Sequence, residues 1–139
     1  MNLHKGIEIR IPESAIDLIT SSRTSEYEGV LHSQEAGARK QFDLERAYDR
    51  ISDLFHTFPE IHDYKVLEIG CGAGLTVLAL RKLGIEAFGI EPDRLSLDAA
   101  HLLFTANNMD SCVYEGFGEE IPFPDESFDL AISYQVLEH

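Results

Sequence analysis

The sequence predicts an α/β fold with a doubly wound, mainly parallel sheet, and three observations predict it. Short aliphatic runs alternate with segments of helical period from Lys65 to Ser133. Each connection is short and is marked by Gly, Pro, Asn or Asp, so successive strands are joined by helical crossovers instead of hairpins. A chain of 139 residues with 44% hydrophobic residues is of one-domain size and supplies a real core.

Residues 1–59 read as an N-terminal extension. Ile7, Ile9 and Ile11 alternate with Glu8 and Arg10, which suits a short strand closed by Pro12. An apolar pattern follows at Ala15, Ile16, Leu18 and Ile19, and the polar stretch from Thr20 to Gly29 reads as a loop. An amphipathic helix over residues 34–58 comes next, with Ser33 as N-cap and Leu44, Ala47, Tyr48, Ile51, Leu54, Phe55 and Phe58 on its apolar face. Asp43, Glu45, Arg46, Asp49, Arg50 and Asp53 fall mostly on the opposite face and read as solvated, and Pro59 stops the helix.

Residues 60–139 carry the strand and helix series. Val66, Leu67 and Ile69 form strand one, and Gly70, Cys71, Gly72, Ala73 and Gly74 turn it into a helix with Leu75, Leu78, Ala79 and Leu83 on one face. Gly84 stands where a left-handed C-cap residue belongs. Glu86 to Ile90 is strand two, Asp93 caps a second helix that Asn107 and Asn108 end, and Cys112 to Glu115 is strand three. Phe128 to Ser133 is strand four, after a proline-rich loop.

The balance of 25 acidic against 11 basic residues, a formal charge of −14, leaves no basic cluster for phosphates and argues against a nucleic-acid partner. Cys71 and Cys112 read as free thiols, and no spaced Cys or His group suggests a metal site. No apolar run reaches the length of a membrane span and the first residues do not form a signal segment, so a reducing cytoplasm is expected.

In an open parallel sheet, ligands lie beyond the carboxyl ends of the strands, near the point where strand order reverses. There the turn of Gly70, Gly72 and Gly74 is expected to present free backbone N–H groups at a helix start. Glu91 ends strand two, 21 positions after Gly70, where its carboxylate suits a ribose diol. Leu75 occupies the place of the third glycine of a dinucleotide fingerprint, and no Lys-Ser/Thr pair follows to make a triphosphate loop. Glu68, projecting near the same turn, repels a pyrophosphate and attracts a cation. A positively charged nucleoside fits this set.

The segments Val66-Leu-Glu-Ile-Gly-Cys-Gly-Ala-Gly74, Gly89-Ile-Glu-Pro-Asp93, Gly116 to Ser133 and Val136-Leu-Glu-His139 resemble the successive motifs of class I S-adenosylmethionine-dependent methyltransferases. The resemblance covers about residues 60–139 and implies a Rossmann-like domain that binds S-adenosylmethionine and transfers its methyl to a small-molecule or protein acceptor. It implies that Gly70, Cys71, Gly72 and Gly74 border the methionine moiety with Glu68 near its ammonium group. It places Glu91 on the ribose, Pro92 against the adenine, Phe117 either stacked on the base or in the core, Gly118 at the adenine edge, and Ser133 with Tyr134 toward the methyl group. Such proteins often carry an aspartate where Phe117 stands, so Glu119, Glu115 or backbone must supply that acceptor. No catalytic base is named, since in-line methyl transfer chiefly needs alignment and exclusion of water; His139, the last residue, is left out.

The resemblance also implies seven strands, of which four are expected here. The exposed edge of strand four then requires a continuation of the chain or a second chain as cover. The rival reading is a non-catalytic S-adenosylmethionine-binding or interaction module, and a dinucleotide-dependent oxidoreductase is disfavoured by Leu75.

Overall fold

A computed structural model of the chain describes residues 7–21, 41–124 and 127–134. The elements, in order, are α1 (Glu13–Ser21), α2 (Leu44–Thr57), a 3-10 turn (Ile61–Asp63), β1 (Lys65–Ile69), α3 (Leu75–Lys82), β2 (Glu86–Glu91), α4 (Arg94–Ala106), β3 (Val113–Glu115) and β4 (Leu130–Ile132). The four strands form one sheet in the order β3-β2-β1-β4, every pair parallel. From β1 the chain steps outward through α3 to β2 and through α4 to β3, then returns to place β4 on the other side of β1. The order reverses at β1, so the crevice between β1 and β4 is the expected ligand position.

Local chemistry explains the main elements. Asp43 and Asp93 cap α2 and α4 by accepting the backbone N–H of Arg46 and Ser96, each at 3.2 Å. Gly84, at φ +88°, follows α3 as the C-cap expectation requires. Val66 and Glu68 of β1, level with Ala87 and Gly89 of β2, face the helices. Gly89 is there because of a close approach: a Cβ would stand 2.4 Å from Cys71 Sγ and 3.2 Å from Val77 Cγ2.

Both crossovers step in the same direction across the sheet, so right-handedness puts α3 and α4 on one face, with α1 packed on α4 and α2 on α3. Helices were expected on both faces; among the described residues the second face is covered by the segment between β3 and β4. There Phe88 of β2 meets Phe123 and Phe128 edge-on at 6.0 and 5.8 Å between ring centroids. The Lys65 ammonium lies 5.3 and 5.5 Å from the Phe88 and Phe128 rings. Lys65 also fixes the register of β4: its N–H donates to Asp129 Oδ2, and the Asp129 N–H donates to the Lys65 carbonyl, both at 2.8 Å.

Three expectations in the N-terminal part change. Residues 7–11 keep their alternation of half-buried Ile and exposed Glu8 and Arg10 but form no strand. Their backbone bonds go to a side chain instead. Asn107 accepts the Arg10 N–H at 2.8 Å and donates to the Arg10 and Leu103 carbonyls at 2.7 Å each. Asn107→Leu keeps the branched shape and loses all three bonds within a buried site, so a loss of about 2–3 kcal/mol is expected in urea unfolding.

The helix expected over 34–58 is interrupted, because Phe42 and Asp43 leave helical geometry and Asp43 starts a new helix as its cap. Ser33 and residues 34–40 lie outside the described residues, as do residues 22–29 of the expected loop, whereas Thr20 and Ser21 belong to α1. The charged face of α2 is not uniformly solvated either: Asp43 is a cap, and Arg50 turns toward the strand ends. β3 and β4 are each shorter than expected, by one and three residues, because pairing starts only at Val113 and Leu130.

Candidate functional site

The glycine turn sits at the carboxyl end of β1 with Gly70, Gly72 and Gly74 all at positive φ, +71°, +60° and +80°. L-residues are strained there, and this is what the glycines are for. The expected row of free N–H groups is absent. Gly70 and Cys71 both donate to the Ile90 carbonyl at 2.9 and 3.2 Å, and Gly74 donates to the Cys71 carbonyl at 3.0 Å. Gly72 donates to Glu91 Oε1 at 2.9 Å, and Ala73 donates to Gln41 Oε1 at 3.1 Å. The turn is therefore a tied corner and not an open anion nest. Apart from the Cys71 carbonyl, its acceptors come from residues that are distant in sequence, which is why the turn alone could not reveal them.

Glu91 is 9% exposed and uses both oxygens, Oε1 on Gly72 and Oε2 on the Asp93 N–H at 2.9 Å. Each bond occupies one lone pair, and each oxygen keeps another for a hydroxyl donor. The carboxylate thus holds the first and second turns in fixed relation and remains able to accept from a diol.

Glu68 differs sharply from it. It is 3% exposed, and its Oε1 has no hydrogen-bond partner. Burial pushes its carboxyl up to about 8, the Arg50 guanidinium draws it back and the Glu91 carboxylate raises it again. A buried carboxyl oxygen without a donor is costly unless something else satisfies it. Beside it the Cys71 thiol is pushed well above its ordinary range by burial and by Glu68 and Glu91, so it is a packed, unreactive thiol. Both cysteines are free.

Ser133 and Tyr134 follow β4, whose Ile132 is level with Glu68. Ser133 Oγ is buried and without a partner. Burial raises the Tyr134 phenol, Glu68 raises it further, and Arg50 acts in the opposite direction. Two orphaned oxygens therefore flank the β1–β4 crevice.

On the β2–β3 side, Pro92 is exposed after Glu91, and Gly118 lies against β1, where a Cβ would come within 3.2 Å of Ile69 Cγ2. Phe117 is 56% exposed, so it is not a core residue. Glu115 and Glu119 are exposed too. His139 lies outside the described residues.

The fold gathers Glu68, the glycines, Cys71, Glu91 and Ser133 with Tyr134 beside it, and it adds Gln41 and Arg50. Gln41 and Arg50 carried no signal in the sequence, because a polar residue at a helix face looks the same whether it meets water or a site. A cavity of about 630 Å3 lies elsewhere, between α4 and the β3 edge, and is lined by Leu18, Arg94, Leu97, His101, Val113 and Tyr114. It touches neither the turn nor the crevice.

Comparison with known proteins bears on the same stretch. The family model described as methyltransferase domain matches residues 67–139. The ubiquinone biosynthesis O-methyltransferase of Bradyrhizobium diazoefficiens is 36% identical over 75 residues, 54% of this chain and 29% of that protein. The uncharacterized methyltransferase YcgJ of Bacillus subtilis is 30% identical over 78 residues, 55% of this chain and 31% of that protein. The crystal structure of YcgJ superimposes with a TM-score of 0.54 at 26% identity, covering 62% of this chain and 37% of that one. The aligned part thus spans less than a third of the length of these curated relatives. It contains the turn, both buried glutamates and the end of β4, and on that match this chain belongs to the methyltransferase domain family.

Proposed function

We propose that this chain binds S-adenosylmethionine in the crevice between β1 and β4 and serves methyl transfer to a small-molecule or protein acceptor. The observation that carries the reading is Glu68, a buried carboxyl with an orphaned oxygen at the strand ends, where a ligand ammonium supplies the missing donor. The residues present fit the cofactor. Glu91 retains acceptor capacity for the ribose hydroxyls, Gly72 keeps the turn free of a side chain beside Gln41, and Pro92, Phe117 and Gly118 border the adenine side. Bound S-adenosylmethionine supplies a methyl on a sulfonium, an electrophile that needs no protein nucleophile. The work left to the protein is to hold that end rigidly and to exclude water. Glu91 does the first by pinning both turns, and Ser133 and Tyr134 stand where an acceptor enters.

The acceptor follows from the acidity only in class: at −14 the chain does not attract nucleic acid. No described helix is long and apolar enough to cross a membrane. Cytoplasmic placement belongs to the same proposal and is supported by the two free thiols. A second reading, a binding module without turnover, is supported by Phe117, which projects into solvent where an acidic residue is common in the resembling proteins.

Calorimetric titration with S-adenosylmethionine and with NAD tests the reading. Binding of the first and not the second is expected, with a loss of about tenfold or more in Glu91→Ala, in line with two charge-assisted bonds. No binding of S-adenosylmethionine, or an Glu91→Ala variant with unchanged affinity, overturns it. Turnover on a panel of acceptors separates the enzyme from the module.

A further inference from the structure

Helix α4 carries two stripes. Ser96, Ala99, Ala100, Leu103 and Phe104 are buried in the core. Arg94, Leu97, Asp98, His101 and Leu102, at the helical spacing i, i+3, i+4, i+7 and i+8, instead border the cavity of about 630 Å3. Leu18 of α1 and Ser111, Val113 and Glu115 at the β3 edge complete its lining. Leu18, Leu97 and Leu102 are only half-buried, whereas Arg94, His101 and Glu115 are exposed. An apolar floor with a polar margin is the make-up of a protein-docking groove. Leu18 belongs to α1, outside the residues that the family model matches, so the match does not account for this groove.

Two features select the occupant. Strand addition at β3 is opposed, because Ser111 Oγ accepts the Val113 N–H at 3.2 Å and its hydroxyl donates to the Val113 carbonyl at 3.5 Å. A partner must therefore enter by its side chains, as a helix laid in a groove does. The second feature is charge. Asp98 pairs with Arg94 at 3.4 Å, which leaves Glu115 to set the sign of the groove. No Lys or Arg follows Arg94 in the sequence, and Asp110, Glu115, Glu119 and Glu120 are all exposed. At a formal charge of −14 a second copy of this chain is repelled, and a basic segment is attracted.

We propose that the groove between α1, α4 and β3 docks a basic amphipathic helix of a partner protein. Apolar side chains of that helix seat on Leu18, Leu97 and Leu102, and its Lys or Arg residues face Asp98 and Glu115. The site is independent of the cofactor reading, since no residue of the glycine turn or of the β1–β4 crevice lines it.

Fluorescence anisotropy with the full chain tests this, using as probe a labelled peptide of Leu and Lys in which Leu recurs at helical spacing over about five turns. A scrambled peptide of the same composition separates the apolar stripe from bare charge attraction, and a Leu and Glu peptide tests the sign. The periodic basic peptide is expected to bind about tenfold or more tighter than the scramble, and the acidic one not to bind. Leu97→Gln and Leu18→Gln, on different helices, are each expected to weaken the periodic peptide about tenfold. His101→Lys, at an exposed position that tolerates substitution, should weaken it about threefold, more at low salt. Ile121→Gln alters an exposed apolar residue away from the groove and should stay within about twofold. Circular dichroism establishes that each variant is folded, and His101→Lys decides the matter if a leucine variant is not. Absence of binding, equal affinity for the periodic and scrambled peptides, or indifference to the groove variants overturns the proposal. Displacement by saturating S-adenosylmethionine places the peptide in the crevice and also overturns it. A dimer in sedimentation velocity that Leu97→Gln dissolves assigns the groove to a second copy instead.

Discussion

Gly74→Ala is expected to destabilise the protein by about 3–4 kcal/mol, the sum of left-handed strain and overpacking. Gly74 stands at φ +80° as the N-cap of α3. A Cβ there would lie 2.5 Å from Val113 Cγ2 and 3.3 Å from Phe104 Cε1, and both neighbours belong to the buried core. Val113 is held in the sheet by pairing with Gly89, and Phe104 is fully buried, so neither neighbour moves freely. Gly84 provides the control. Its φ is +88°, but nothing lies within 4 Å of a Cβ, so Gly84→Ala should cost only about 1 kcal/mol from backbone strain. Urea unfolding of both variants measures the difference. Val113→Ala in the Gly74→Ala background should restore part of the loss beyond additivity, because it removes the clashing methyl. Equal costs at Gly74 and Gly84 would show that packing against β3 is not what requires this glycine.

The second large effect concerns pH. Glu68 carries a carboxyl near 8 in the folded protein against 4.5 when free, with burial as the main cause. The folded state therefore holds a proton that the unfolded state releases between those values. Stability is fully retained below about pH 4.5 and falls as pH rises toward 8, by about 1.4 kcal/mol per unit at most, then levels off. Glu68→Gln keeps the shape and removes the titration, so its advantage over wild type should grow across the same window in urea unfolding. Cofactor affinity should run the other way, because the ammonium is held by the carboxylate form. Wild type is expected to bind S-adenosylmethionine more tightly as pH rises from 6 to 8 and to release a proton on binding, detected by calorimetry in buffers of different ionisation enthalpy. Glu68→Gln should show no such proton release. The groups that face Glu68 are Arg50 from α2, Glu91 from β2, Cys71 in the turn and Tyr134 after β4. Arg50 opposes the shift and Glu91 reinforces it, so Arg50→Gln should move the midpoint upward. A wild-type stability profile parallel to that of Glu68→Gln between pH 5 and 8 would remove the basis for this expectation.

The sequence by itself determined the parallel α/β order, the helix caps at Asp93 and Gly84, the glycine turn and the pair Glu68 and Glu91. These are written locally: hydrophobic period, positive-φ residues and side-chain caps act within a few positions of one another. It also argued against a dinucleotide through Leu75, since that argument needs only spacing. Only the tertiary structure decided what the turn's N–H groups bond to. Ile90, Glu91 and Gln41 satisfy most of them from elsewhere in the chain, so a turn that reads as open is closed. The same holds in the N-terminal part, where the Arg10 backbone, in a stretch with strand alternation, bonds to the Asn107 side chain from a distant helix end. It holds for Arg50 as well. A charged residue on a helix is solvated or functional according to what packs opposite it, and the packing of α2 over the ends of β1 and β4 is set by the whole core.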